Sequence, residues 1–260
     1  MTTDHAFTPR RDCYAALTDY FDAEHDGFLE DVQFYRDLAS VAGPDVLDLA
    51  CGTGRVGLRL AASGLRVVGV DSSEAMLNIA EAKRRQDQLP MELRLLDMRG
   101  LDFADRFDLV VCALDSYGHM LTIEDQESCL AGVFRALKPG GVLAIDVMNP
   151  NPEMLSARDG VVMLPSDFEG PDGADVRHFV SWQVNYEAQQ VAVEHMYDSI
   201  GPDNTVKRWL CGLGLRFFHR FEMEALVRGA GLTVRSVYSD YDRSEYRIDG
   251  ERMLVIASRE

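Results

Sequence analysis

The stretch Val46-Leu47-Asp48-Leu49-Ala50-Cys51-Gly52-Thr53-Gly54-Arg55-Val56-Gly57 (VLDLACGTGRVG) decides the fold. Residues 46–50 form a short apolar run of the kind that makes a strand buried on both faces. Gly52, Gly54 and Gly57 follow at the G-x-G-x-x-G spacing of a turn that lets backbone approach a ligand before a helix begins. The helix is read over 55–63, with Val56, Leu60 and Ala61 on one side and Gly64 as its stop. Asp48, an acid inside the strand, is out of place in a loop built to hold a pyrophosphate.

Outward from this turn, strand and helix patterns alternate. Strands are read at 66–70, 92–96, 107–113 and 142–147. A helix at 73–85 takes Ser72 or Ser73 as its cap, with Glu74 in its first turn. Another at 122–137 opens on acids and stops at Pro139-Gly140-Gly141. Two helical patterns, 11–24 and 29–40, precede the first strand, and Gly43-Pro44 ends the second. Such alternation predicts right-handed crossovers and a parallel sheet covered by helices on both faces. The ligand then lies outside the carboxyl ends of the strands. From 161 to 218 the segments become longer and alternate with period two, with a turn signal at Gly201-Pro202-Asp203-Asn204. These predict antiparallel strands inserted after the fifth parallel one. A helix at 221–228 and strands at 232–238 and 252–258 complete the sheet, the last two as an antiparallel hairpin.

Composition narrows the partners. The chain has 260 residues, 47% of them apolar, with 26 Lys plus Arg against 43 Asp plus Glu, a net charge of −17. Nucleic acid and anionic membrane surfaces would be repelled. The five cysteines are scattered and contain no C-x-x-C pair, which predicts reduced thiols in a cytoplasmic protein. The opening MTTDHAFTPRRDCY lacks the apolar core of a signal peptide, and no run approaches the roughly 18 apolar residues of a membrane span. No His/Cys group has zinc-ligand spacing, so no metal is expected.

Acids recur where the strands end: Asp48, Asp71, Asp97 and Asp115. A carboxylate rim repels phosphate and attracts a cation that carries hydroxyl and amino donors. S-adenosyl-L-methionine has a sulfonium, an ammonium, a ribose diol and an adenine amino group, and no phosphate.

The segments D-L-A-C-G-T-G (48–54), G-V-D-S-S-E-A-M-L (69–77), L-L-D-M-R (95–99), F-D-L-V-V-C-A-L-D (107–115) and A-L-K-P-G-G-V-L (136–143) come in one order. In that order the chain resembles the class I S-adenosylmethionine-dependent methyltransferases. The resemblance is strongest over 46–150. It implies a seven-stranded, mostly parallel, Rossmann-like α/β sheet plus the antiparallel insert. The expected parts are an N-terminal helical lid (1–45), a donor-binding core (46–150), the insert as acceptor lid or oligomer contact (151–219), and a closing helix and strand pair (220–260).

The same resemblance assigns donor contacts to Asp48, Ala50, Gly52, Gly54 and Leu114, with Ala50 standing where a glycine is usual. Asp71 is implied to hold the ribose hydroxyls, Ser72 and Met76 to flank the adenine, and Asp97 with Met98 to meet its amino group. Tyr20, in the lid, is implied to reach the amino-acid end. Asp115, Tyr117 and His119 in D-S-Y-G-H-M (115–120) are the candidates for taking a proton from the acceptor.

Plainer readings stand beside these: Asp71 as a helix cap, Asp97 as a turn former, Met76 as core, Gly57 as a helix packing contact, Tyr117 as packing and His119 as a hydrogen-bonded helix start. The acceptor reads as a small molecule with a nitrogen or oxygen nucleophile, resembling the amino-sugar substrates of small bacterial methyltransferases. Catechol-type metal chemistry is disfavoured because Asp146 and Asn149 are not adjacent. A nicotinamide-dependent oxidoreductase and a non-catalytic S-adenosylmethionine-binding protein are the alternatives, and a homo-oligomer is left open. The insert's aromatics, among them Trp182, Tyr186, Tyr197 and Trp209, read either as a small core or as an acceptor chamber.

Overall fold

The computed structural model describes residues 13–170 and 173–260. The expected helix start at 11 and the opening segment read for a signal peptide lie outside the described residues, in whole or in part. Helices α1 (Cys13–His25) and α2 (Glu30–Ala42) lead into β1 (Asp45–Leu49). The core continues through α3 (Gly57–Ala62), β2 (Arg66–Asp71), α4 (Glu74–Gln86), β3 (Met91–Leu95), β4 (Phe107–Cys112), α5 (Ile123–Ala136) and β5 (Leu137–Met148). After α6 (Pro152–Arg158) come four insert strands, β6 (Val162–Glu169), β7 (Asp175–Asn185), β8 (Gln190–Ile200) and β9 (Val206–Arg216). Helix α7 (Arg220–Gly229) and strands β10 (Thr233–Tyr238) and β11 (Arg252–Ser258) close the chain.

The main sheet has the order β10-β11-β5-β4-β1-β2-β3, and the insert forms a separate sheet, β6-β7-β8-β9. Strands β1 to β5 run parallel, while β11 is antiparallel to both β5 and β10. The expected α/β fold with an antiparallel insert is therefore the observed one.

Period-two alternation sorts the strands into two cores. Leu47, Leu49, Val68, Val70, Val110, Ile145 and Val255 pack under α5 and α7. Val46, Val67, Leu109, Val111, Ala144 and Leu254 pack under α2 and α3. Asp48 shares the parity of Val46, and so points toward α2 and α3.

Local signals placed the helices well. Ser73 caps α4, its Oγ accepting from the Met76 amide at 3.4 Å, and Thr122 caps α5 by accepting from the Asp125 amide at 3.1 Å. Two boundaries differ from expectation. Pro139-Gly140-Gly141 does not separate α5 from the fifth strand but lies inside β5, where the pairing with β4 shifts register. Helix α6 was not expected; Asn151 caps it and Pro152 begins it.

The cysteine reading is corrected. Cys13 and Cys211 form a disulfide, with Cα atoms 5.1 Å apart and 198 residues between them in sequence. Helix α1 lays its first turn against β9, a meeting that no local spacing announces. Cys51, Cys112 and Cys129 are free and buried. Among the described residues no helix is long and apolar enough to cross a membrane.

Candidate functional site

The first residues expected to meet the donor lie on β1 and β2 and in the turns that follow them. Ala50 adopts φ +53° and Gly52 φ +54°, the left-handed turn that carries the chain off β1. A side chain at Gly52 would project into open space, so the backbone there is bare toward the strand ends. Gly57 answers a different need. A Cβ there would lie 2.8 Å from Asp48 Oδ2 and 2.5 Å from Met91 Cε, so the missing side chain makes room for the acid.

Asp48 is 2% exposed, and its Oδ2 has no hydrogen-bond partner among the described residues. Burial pushes its carboxyl up to about 7, although Arg55 and the Gly57 amide pull the other way. Arg55 is already committed. Its guanidinium makes a buried bidentate pair with Asp31, Nη1 reaching Oδ1 at 2.9 Å, and also donates to the Phe28 carbonyl at 2.7 Å. Two buried acids thus share one cation. An orphaned carboxylate oxygen beside a glycine turn fits a positively charged ligand and opposes a pyrophosphate.

Asp71 ends β2 and is half-buried. Its Oδ2 accepts from the Gly52 amide and its Oδ1 from the Ser73 amide, both at 2.8 Å. Each oxygen retains a lone pair for a further donor. The helix-cap reading is therefore accurate without excluding a ligand. Burial raises the Asp71 carboxyl pKa above its usual value. Asp97 caps the short turn Met98–Gly100 and pairs with Arg99, whose guanidinium holds the carboxyl below its usual range. Met76 is buried, Ser72 is exposed and Met98 is half-buried.

The residues expected on the acceptor side lie in the loop after β4. Leu114 and Asp115 both take left-handed backbone, φ +46° and +59°. Such residues cost about 1–3 kcal/mol each and persist only where the surroundings over-determine them. Here the Leu114 amide donates to Asp146 Oδ2 and the Asp115 amide to the Asp146 carbonyl, both at 3.1 Å, while the Met148 amide donates to Asp115 Oδ1. Asp146 is anchored in turn by Arg252 at 2.9 Å and by the Tyr241 hydroxyl.

The three proton-accepting candidates then separate. Burial and nearby Asp146 raise the Asp115 carboxyl to about 6, and its Oδ1 is taken by the Met148 amide. Tyr117 is buried on Phe218, its hydroxyl donating to the Gln126 carbonyl at 3.1 Å. His119 Nε2 lies 2.6 Å from the Tyr14 hydroxyl of α1. Burial holds His119 down at about 4, and it keeps the Tyr14 phenol above its usual range, with Asp71 and Asp115 adding to the effect. Tyr14 thus stands within electrostatic reach of donor-side and acceptor-side acids together.

Helix α1 places Tyr14 by its periodicity. Tyr14, Thr18, Phe21 and His25 recur on one stripe, and Cys13, Leu17, Tyr20 and Glu24 on the next. The second stripe meets the insert: Tyr20 stacks on Tyr197 with ring centroids 5.3 Å apart, and Leu17 is buried in the same core. Tyr20, expected over the donor, therefore packs on the insert sheet. Asp22 pins α1 to the glycine turn by accepting from Thr53 Oγ1 at 2.6 Å and pairing with Lys83 at 2.5 Å. Sequence reasoning missed Tyr14, although an aromatic one helical turn before Thr18 and two before Phe21 was a readable signal.

No cluster of His, Cys, Asp and Glu able to hold a metal occurs among the described residues. A buried acid, a bare glycine turn and a strained, anchored loop meet at the strand ends.

Comparison with known proteins agrees. Residues 46–141 match the family model described as a methyltransferase domain. YqeM of Bacillus subtilis (strain 168), named among the methyltransferases, is 32% identical over 224 residues, covering 82% of this chain and 83% of its own. An S-adenosylmethionine-dependent methyltransferase from Clostridium acetobutylicum ATCC 824 superposes with a TM-score of 0.79 at 22% identity, over 94% of this chain and 96% of that one. CalS10 from Micromonospora echinaspora, an amino pentose methyltransferase, gives 0.72 at 23% identity, over 98% and 100%. The chain belongs to the S-adenosylmethionine-dependent methyltransferases, and S-adenosylmethionine is its cofactor. Neither the nicotinamide reading nor the non-catalytic one finds support.

Proposed function

We propose that this enzyme methylates an amine or hydroxyl of a small-molecule acceptor held between α1, the loop after β4 and the insert sheet. The observation that carries this reading is the 2.6 Å contact between the Tyr14 hydroxyl and His119 Nε2, at the strand ends beside Asp71 and Asp115. S-adenosylmethionine supplies an electrophilic methyl on its sulfonium. Asp48 offers its unpaired oxygen to the donor's positive charge, Asp71 its remaining lone pairs to the ribose, and Asp97 with Met98 a rim for the adenine. Gly52 and Gly54 keep backbone close to the donor, Ala50 turns the chain, and Leu114 presses on the donor from the anchored loop.

The pair Tyr14–His119 addresses the acceptor. Burial around the pair disfavours a charged ammonium and so favours the neutral, nucleophilic form of an amine, while the Tyr14 hydroxyl, held by the imidazole, can accept the amine's N–H. Amino sugars are the acceptor class to test first, since CalS10 is an amino pentose methyltransferase. Incubation with methyl-labelled S-adenosylmethionine and a panel of free and nucleotide-linked amino sugars, beside pooled metabolite extracts, tests this. Label appearing only on macromolecules would overturn it.

A further inference from the structure

A second set of titratable groups lies away from His119, between α1 and the insert. Glu24 closes the insert-facing stripe of α1. Its Oε1 lies 2.6 Å from His178 Nδ1 and accepts from Ser166 Oγ at 2.6 Å, and its Oε2 accepts from the Tyr197 hydroxyl at 2.9 Å. His178 Nε2 lies 2.9 Å from His195 Nδ1. The rings of His178, His195 and Tyr197 are near parallel. Sheet register makes the set: His178 stands opposite Tyr197, Val180 opposite His195, and His195 opposite Cys211, all on the inner face.

The direction of each hydrogen bond follows from Glu24. Burial raises its carboxyl, but the hydrogen bonds from His178 and Ser166 outweigh that and hold it at about 2. A carboxylate only accepts, so His178 carries its proton on Nδ1. Two arrangements then fit the 2.9 Å contact. In one, His178 is neutral, His195 donates from Nδ1, and His195 Nε2 presents a bare lone pair. In the other, one proton has been added. His178 is then an imidazolium facing Glu24, donating from Nε2, and His195 carries its proton on Nε2. A proton that arrives at His195 Nε2 reaches the second arrangement by a shift from His195 Nδ1 to His178 Nε2, with no net charge left on His195. His195 Nε2 has no hydrogen-bond partner among the described residues and is not among the buried unpartnered atoms, and the residue is half-buried.

The disulfide ties this part of the insert to the first turn of α1. His195 lies across from Cys211, Cys211 is bonded to Cys13, and Cys13 precedes Tyr14. The first turn of α1 thus joins the strand that faces His195 to the residue that meets His119.

We propose that Glu24, His178 and His195 form a proton-accepting relay whose open end, His195 Nε2, serves the acceptor space beneath the insert. The relay would hold the proton lost by the acceptor's ammonium or hydroxyl, and to that extent it rests on the small-molecule reading above. The balance is simple: one proton leaves the acceptor, binds His195 Nε2, and comes to rest on His178 against Glu24. The titratable groups facing His195 are His178 on β7, Glu24 and His25 on α1, and Tyr197 on its own strand; Cys211 on β9 does not titrate.

The relay is tested without any acceptor. Nitrogen-15 NMR of histidine-labelled full-length protein, titrated from high to low pH, should show His195 changing from the Nδ1–H to the Nε2–H tautomer as His178 gains its second proton. In Glu24→Gln the amide still accepts a hydrogen bond, but the pair's proton affinity should fall about tenfold or more, since an opposite charge is removed. Carbethoxylation of the neutral protein should mark His195 and spare His178. Independent titration of the two rings, an unchanged midpoint in Glu24→Gln, or an unreactive His195 would overturn the relay. Failure to methylate amino sugars, by contrast, would count against the acceptor class and leave these readouts intact.

Discussion

The hydroxyl of Tyr14 and Nε2 of His119 meet at 2.6 Å across 105 residues of sequence, joining the first described helix to the loop after the fourth strand. Tyr14→Phe should lower kcat about 100-fold and His119→Asn at least as much, within the range of positioned proton-transfer groups. Donor affinity, read by calorimetry, should change less than about threefold, well under 1 kcal/mol. Because burial keeps His119 near 4, its own titration should not appear as a break in the rate near neutral pH. Full turnover by Tyr14→Phe would show the contact to be packing alone.

Asp48 ties donor binding to pH. Its folded pKa, about 7, lies above the usual carboxylate value, so the folded state holds more protons than the unfolded one between about pH 4 and 7. Stability from this group therefore falls as pH rises through that window. Asp48→Asn should be more stable than the parent at pH 8, by about 1–3 kcal/mol, and little different at pH 4. It should also bind S-adenosylmethionine more weakly, and the loss of affinity on acidification below pH 7 should disappear. Melting curves and calorimetry at several pH values check both parts; equal donor affinity in the two proteins would remove Asp48 from the site.

Asp71 serves two backbone amides as well as its proposed ligand. Asp71→Ala should weaken donor affinity about 10- to 150-fold, the value of a hydrogen bond to a charged acceptor. It should also lower the melting temperature, because the amides of Gly52 and Ser73 lose their acceptor. Asp71→Asn, able to keep one of them, should lose affinity with a smaller thermal cost. Unchanged affinity in a folded Asp71→Ala would leave only the cap.

The Cys13–Cys211 bridge makes α1 sensitive to redox conditions. Breaking it, by reductant or Cys211→Ser, should cost about 2–5 kcal/mol, as expected for a bridge closing a long loop. Since Cys13 precedes Tyr14, turnover should fall more steeply than donor affinity. A reducing cytoplasm would hold both residues as thiols, so the compartment sets which form operates. Mass spectrometry of the native protein that finds five free thiols in every compartment would remove this prediction.

The strand-turn-helix that carries the proposed donor contacts was legible because its causes are local. A strand, a turn requiring bare backbone and a capped helix occupy consecutive residues, and Asp48 and Asp71 announce themselves by their position at strand ends. Hydrophobic alternation likewise revealed the insert. The proposed acceptor half has distant causes. Glu24 meets His178 over 154 residues and Tyr14 meets His119 over 105. Which side of α1 faces which sheet depends on both sheets being present, so the stacking of Tyr20 on Tyr197 could not be read from the helix alone. Facing in the insert was equally hidden. Trp182 is buried beneath Arg158, 4.8 Å from ring to guanidinium, whereas Trp209 and Tyr186 are about half exposed. The Asp31–Arg55 pair escaped notice because a charged residue in a helical pattern reads as surface unless its partner is known.

Helix α1 brings Tyr14 to His119 and Cys13, Tyr20 and Glu24 to the insert sheet. For anyone redesigning this enzyme, the two halves are not interchangeable parts. An insert borrowed from a relative would arrive without its matching helix face, and the mismatch would be felt at His119 through Tyr14. A transplant that changes the acceptor must carry residues 13–25 along with the four insert strands, as one inherited unit.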